Sequence, residues 1–149
     1  MKIRVGDVRI SCAHFIEMAE RFERLHGHNL TISAQVSSPE EDDMVMDFRE
    51  LESALQEVAS SLDHRLLLPG RNPGLSIGDM GTSYEILAGK KRYRMPKGDI
   101  VILPIRNSTV EEIGRHLHKA LSSRLPKGVS LTRLTVEEIE GKEAIIESS

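Results

Sequence analysis

The chain has no tryptophan, a single cysteine and only 3% aromatic residues. One cysteine, Cys12, excludes an internal disulfide framework. The scarcity of aromatics, a net charge of −3 and the lack of any Lys/Arg stripe make nucleic acid a poor partner. No apolar run approaches the roughly 18 residues that a membrane helix needs, so no membrane partner is expected. The N-terminus MKIRVGDVRI alternates and lacks the apolar stretch of a signal peptide, which points to the cytoplasm. A Gly-rich phosphate loop, a Rossmann fingerprint, internal repeats and low-complexity tracts are missing as well. What is present is the composition of an ordinary globular protein: 149 residues, 39% hydrophobic and 29% charged. That length suits a single domain, residues 1–149, with a substantial core.

Hydrophobic periodicity lays out the elements. Ile3, Val5, Val8, Ile10 and Cys12 alternate with polar residues, the pattern of a strand bent at Gly6-Asp7, and His14 closes it on the same face. The polar stretch EMAERFER that follows reads as a short helix. His28, Leu30, Ile32, Ala34 and Val36 alternate in a second strand, antiparallel to the first. SPEEDD is a loop. Phe48, Leu51, Leu55, Val58 and Leu62 fall at helical spacing, with Asp47 as N-cap and Glu50 three residues on. PGRNPGLSIGDMG reads as a loop, SYEILAGKKRYRM as a hairpin about Gly-Lys, and DIVILPI as a strand. A second helix carries Val110, Ile113, Leu117 and Leu121, and LTRLTVEEI and KEAIIES close the chain as strands. The expected class is α+β, with two helices covering one face of an antiparallel sheet.

Six histidines carry most of the chemical information. Residues two apart on a strand point to one face. His26 and His28 therefore project together, and His14 can reach the same place from the neighbouring strand. Three imidazoles make the ligand set of a catalytic zinc site with one position open, although imidazoles also accept other divalent ions. Gly27 would let the backbone approach the metal. His116 and His118 are also two apart, but on a helix they diverge and read as surface residues. Asp63 precedes His64, and a carboxylate can orient an imidazole for proton transfer. A histidine at a helix C-terminus also suits the helix dipole without any chemistry.

Together SCAH (11–14), LHGHN (25–29), MDF (46–48), LDH (62–64), STVEE (108–112) and TVEE (135–138) support a resemblance. The chain resembles the 6-pyruvoyltetrahydropterin synthase family, which includes the 6-carboxytetrahydropterin synthases. The resemblance implies a tunnelling fold (T-fold): a four-stranded antiparallel sheet with two helices on one face, here with an inserted hairpin over 69–103. It implies a homo-hexamer built as a dimer of trimers, with active sites between subunits and a pterin as substrate. By resemblance, His14, His26 and His28 are ligands of Zn2+, Asp63 and His64 form a proton relay, and Glu138 anchors the pterin ring. A carboxylate suits that task, because the pterin 2-amino group and N3–H form a donor pair that it can accept as a fork. Thr109 and Glu111 match a substrate-binding Pro-Thr-x-Glu stretch, with Ser108 in the proline's place. Ser108 and Glu111 also have the spacing of a capping box for the second helix.

The synthases of this family carry a cysteine four residues before the first histidine of His-Gly-His. That position holds Phe22, and the nearest acid–base group is Glu23. Glu-x-x-His-Gly-His is the pattern of family variants associated with dihydroneopterin aldolase-type cleavage. The leading expectation is therefore a zinc-dependent lyase that cleaves dihydroneopterin to 6-hydroxymethyldihydropterin and glycolaldehyde, as in folate biosynthesis. Glu23, Asp63 and His64 would be its acid–base groups, with base and acid left unassigned. The alternatives are a 6-pyruvoyl- or 6-carboxytetrahydropterin synthase acting on dihydroneopterin triphosphate and a non-catalytic pterin- or metal-binding subunit. Cys12 could replace the lost thiol but reads as a packing residue. Leu68 and Ile139 depart from the family pattern, which often has Asn and Thr there.

Overall fold

The computed structural model describes residues 1–39 and 43–149. Two long antiparallel strands, β1 (Lys2–His14) and β4 (His26–Ser37), form its centre. Their register runs from Lys2 opposite Ser37 to His14 opposite His26, with one irregularity between Val5 and Val8 at the expected bend. Between them lie β2 (Glu17–Met18) and β3 (Arg21–Phe22), a tight hairpin where a helix was expected. Ala19 and Glu20 turn it with φ of 50° and 63°, a conformation that breaks any helix. Half of the expected 38–43 loop, residues 40–42, lies outside the described residues.

Helix α1 (Phe48–Ser60) starts where the Asp47 side chain accepts the Arg49 amide. Strand β5 (Arg65–Pro69) then runs parallel to β1. Parallel neighbours need a long crossover, and the stretch up to β9 (Ile100–Leu103), which is parallel to β5, supplies one. That crossover is a sheet of its own: β6 (Leu75–Asp79), β7 (Ser83–Ala88) and β8 (Lys91–Pro96). The insert is thus three antiparallel strands rather than one hairpin, and β6 replaces part of the expected 69–81 loop. Helix α2 (Val110–Ser122), β10 (Ser130–Ile139) and β11 (Lys142–Glu147) complete the chain.

The main sheet has the order β11-β10-β4-β1-β5-β9. Its four antiparallel strands are those expected, and the two parallel strands widen it to six. Both helices pack on one face, where Ile10, Leu30, Ile32, Ala34, Val36, Leu134 and Val136 meet Leu51, Leu55, Ile113, Leu117 and Leu121. The opposite face carries the polar alternates, including Ser33 and Thr135, whose hydroxyls bond across strands. A second apolar cluster joins the insert to the site end of the sheet. There Phe15, Leu66, Leu68, Ile86 and Ile100 gather Phe22, Leu25 and Tyr93, with Phe15 stacked on Tyr93 at 5.3 Å. Among the described residues, no helix is long and apolar enough to cross a membrane.

Candidate metal centre

Strand register brings three histidines together. His14 faces His26 across the β1–β4 ladder, and His28 is two pairs further along, opposite Cys12. All three side chains leave the core face of the sheet. His14 and His26 approach to 3.2 Å through their Nε2 atoms. The Nδ1 atoms of both rings contact backbone carbonyls: His14 reaches Ser108 O at 2.7 Å and His26 reaches Arg24 O at 2.8 Å. A carbonyl only accepts, so each Nδ1 carries the proton and donates it. Each Nε2 is then left with a lone pair, and two lone pairs meet at 3.2 Å. A cation between them resolves that repulsion, and outer carbonyls of this kind fix metal-ligating tautomers. Burial, the largest influence, pushes the His14 pKa below its usual value and favours the neutral ring that ligation requires.

Glu138 completes the group. Its Oε1 is 2.9 Å from His28 Nε2 and 3.5 Å from His14 Nε2. His14, His26, His28 and Glu138 offer ligand atoms that all lie within 4.8 Å of one another. The donor set therefore fits a divalent ion such as zinc. The sequence placed Glu138 on the inner face, but not beside His28. A bulge in β10 between Glu137 and Ile139 sets its aim, while Glu137 points away and accepts the Gly141 amide. Gly27 plays a different part from the one expected. A Cβ there would meet the Cys12 carbonyl at 3.3 Å, so it allows close approach of the two strands on the face away from the histidines.

Glu23 stands next to this group. Its Oε1 accepts the Ile16 amide at 2.9 Å and lies 3.8 Å from His26 Nε2. Phe22 packs its ring against Phe15. Cys12 is buried beneath His28, and its thiol is pushed up to about 11, first by desolvation, then by Glu138 and Asp63. It is a neutral packing group at any physiological pH.

Asp63 and His64 form a pair, but apart from the histidine cluster of their own chain. Asp63 Oδ1 accepts the Ser11 amide and lies 2.9 Å from His64 Nδ1. The Ser11 hydrogen bond, ahead of the His64 contact, holds its carboxyl below the usual range. The His64 ring is 81% exposed, which leaves it free to meet something outside this chain.

The capping of α2 is shifted by one residue from the expected box. Thr109 is the N-cap and accepts from the Glu112 amide. The Glu112 carboxylate takes the Arg106 and Asn107 amides. Ser108 is fully buried, and its hydroxyl donates to Leu67 O. Glu111 is exposed and faces β11, away from the histidines. His116 and His118 are half-buried rather than on the open surface, and burial lowers the pKa of both.

A curled antiparallel-rich sheet with two helices on one face, and a cluster of three histidines and one glutamate at its end, defines a tunnelling-fold protein with a candidate metal centre. Residues 3–149 match the family model "6-pyruvoyl tetrahydropterin synthase". The chain belongs to this family, whose members are lyase-type enzymes acting on pterins. It is similar to a solved Plasmodium falciparum 6-pyruvoyl tetrahydropterin synthase, with 28% identity, a TM-score of 0.91 and coverage of 99% of this chain and 97% of the other. It is equally similar to a Plasmodium vivax 6-pyruvoyltetrahydropterin synthase in which a catalytic glutamate is changed to alanine. That match has 28% identity, a TM-score of 0.91 and coverage of 100% and 98%. A Methanocaldococcus jannaschii protein provisionally assigned as a 6-carboxy-5,6,7,8-tetrahydropterin synthase is 24% identical over 140 residues, or 93% of this chain and 85% of that one. These relatives are named as synthases, and none of them lends support to the aldolase-type cleavage expected from Glu-x-x-His-Gly-His.

Proposed function

We propose that the protein is a zinc-dependent tetrahydropterin synthase acting on dihydroneopterin triphosphate, with Glu23 as its acid–base group. The observation that carries this reading is the Glu23 carboxylate held 3.8 Å from His26 Nε2, at the rim of the histidine cluster. The Plasmodium vivax relative has a glutamate as a catalytic residue, the residue type that stands at position 23. The synthase alternative thus replaces the aldolase-type reaction as the leading reading.

His14, His26 and His28 would hold zinc, which when bound supplies a Lewis acid and a template for the substrate's vicinal hydroxyls. Glu138, 2.9 Å from His28 Nε2 within the cluster, would swing from it to accept the pterin donor pair, which brings the substrate's side chain over the histidines. Triphosphate elimination needs a proton taken from the carbon next to the one bearing the leaving group. Glu23 takes it; the C–O bond then breaks, and its electron pair departs with the triphosphate. Cations for that leaving group flank the hairpin that precedes Glu23. Arg21, Lys90 and Lys91 line a cleft of about 420 Å3 between the β2–β3 hairpin and the β7–β8 turn. The exposed Asp63–His64 pair serves the site of a neighbouring subunit in a hexamer, as proton relay. Thr109, as helix cap, walls the site only through the loop it fixes, and the exposed Glu111 is left to contact substrate bound to a neighbouring chain.

The test is product analysis by mass spectrometry. Zinc-loaded protein is incubated separately with dihydroneopterin and with its triphosphate. Triphosphate release with a 6-pyruvoyl or 6-carboxy product supports the proposal. Hydroxymethyldihydropterin and glycolaldehyde from unphosphorylated dihydroneopterin would restore the aldolase-type reaction.

A further inference from the structure

The hairpin that delivers Glu23 is too small to hold itself. It has two residues in each strand, and isolated ribbons even longer than this are marginal in water. Its turn places Ala19 and Glu20 at positive φ, a further cost. Yet Glu23 is fixed at both ends, its amide donating to Ile16 O and its carboxylate accepting from Ile16 N. Something outside the hairpin must anchor Ile16 and Glu17.

Phe22 packs on Phe15, and the polar anchor is Asn107. Its Oδ1 accepts the Glu17 amide at 3.0 Å, and its Nδ2 donates to Glu17 O at 2.9 Å. The pair clamps one backbone unit from both sides across 90 positions of sequence. The next residue holds the other half of the site, for Ser108 O takes the His14 Nδ1 proton. Ser108 is itself tied to Leu67 O, and the Glu112 carboxylate holds the Asn107 amide from behind. Two consecutive residues therefore grip the metal-binding strand and the hairpin with the acid–base group. Lys91 adds a half-buried tie from the insert, donating to Phe22 O.

We propose that Asn107 is a positioning residue: through Glu17 it sets where the Glu23 carboxylate stands relative to the histidine cluster, whose distance from the same loop Ser108 fixes. The proposal rests on Glu23 being the acid–base group. A shift of about 1 Å in such a group can cost on the order of 100-fold in rate.

The experiment is a cycle of Asn107→Ala, Glu23→Gln and the double variant, with turnover of dihydroneopterin triphosphate, cobalt binding and hydrogen exchange measured on each full-length protein. Asn107→Ala should lower kcat by roughly 10- to 100-fold while KM and cobalt affinity stay near those of the parent. Amides of residues 16–23 should exchange faster, with β1 and α2 still protected. In the Glu23→Gln background Asn107→Ala should cause no further loss, because a residue acting through Glu23 has nothing left to position. Equal losses in both backgrounds, or unchanged exchange over 16–23, would overturn the proposal. An inactive Glu23→Gln beside a fully active Asn107→Ala would remove Asn107 alone. A fully active Glu23→Gln would remove the role of Glu23, and the exchange data would still report whether the clamp exists. Should the alanine variant fail to fold, Asn107→Asp keeps the shape and the acceptor but loses the donor to Glu17 O, and the same pattern is expected of it.

Discussion

Glu23 and His26 are three residues apart, yet they meet along an irregular segment between two strands rather than along a helix, with the carboxylate 3.8 Å from Nε2. The same oxygen accepts the Ile16 amide, so the group is oriented before any substrate arrives. Glu23→Gln keeps that acceptor and removes the base. Turnover should fall by about 100- to 10,000-fold, while zinc content, measured by elemental analysis, stays that of the parent. Undiminished turnover would take Glu23 out of the reaction.

The paired lone pairs of His14 and His26 predict metal dependence. His14→Ala or His28→Ala should abolish zinc retention through gel filtration, and His116→Ala should leave it intact. A chelator should lower the thermal midpoint of the parent, because an ion that binds only the folded state stabilises it. The same chelator should barely move His14→Ala. Equal shifts in both would place the metal elsewhere.

Cys12 predicts an alkaline limit. Its thiol ionises near 9.0 when unfolded and near 11 when folded. The unfolded chain therefore loses its proton first, and the stability due to the buried thiol is present below pH 9 and is lost as pH rises towards 11. Urea midpoints at about pH 8 and about pH 10.5 should differ for the parent by more than for Cys12→Ala. A thiol reagent at about pH 8 should label the native protein far more slowly than the denatured one. Cys12→Ala should still turn over substrate.

The cap of α2 separates two adjacent glutamates. Thr109→Ala should cost about 1 kcal/mol of stability. Glu112→Ala should cost more than Glu111→Ala, because the Glu112 carboxylate serves two backbone amides and Glu111 caps none among the described residues. Glu111→Ala should lie within about 0.5 kcal/mol of the parent. Denaturant titrations that rank the two the other way would contradict the cap as described.

Much of this was legible in the sequence. β1, β4, α1, α2, β10 and β11 each bury one face, and one-sided burial imprints a period of about two or about 3.6 on the chain. The His-Gly-His spacing survived for the same reason. The hairpin at 17–22 was not legible. EMAERFER is built of good helix formers with Met18 and Phe22 at helical spacing, and its hairpin is bonded to Asn107, 90 positions away. β6 was hidden by flanking Gly and Pro, since its partner β7 supplies its order. The contact between Glu138 and His28 needs the register of β10 on β4, which no local pattern states. Asn107 looked like any loop asparagine, and Ser108 acts partly through a carbonyl that every residue has.

Gly114 lies on the buried side of α2, where a Cβ would collide with the Ile146 side chain of β11 and approach Val136. The helix thus rests directly on the chain's final strand, with no spacer between them. A methyl group at that bearing point meets the Cδ1 end of Ile146, so either that side chain turns aside or α2 is pushed outward, and the loop that begins the helix then travels with it. That loop holds both His14 and the hairpin, so the acid–base distance at one end of the molecule is gauged against a glycine just over one turn into the helix. Alanine at 114 therefore reads which of the two gives way: turnover lost with the fold kept means that the helix moved, and turnover kept means that Ile146 turned aside.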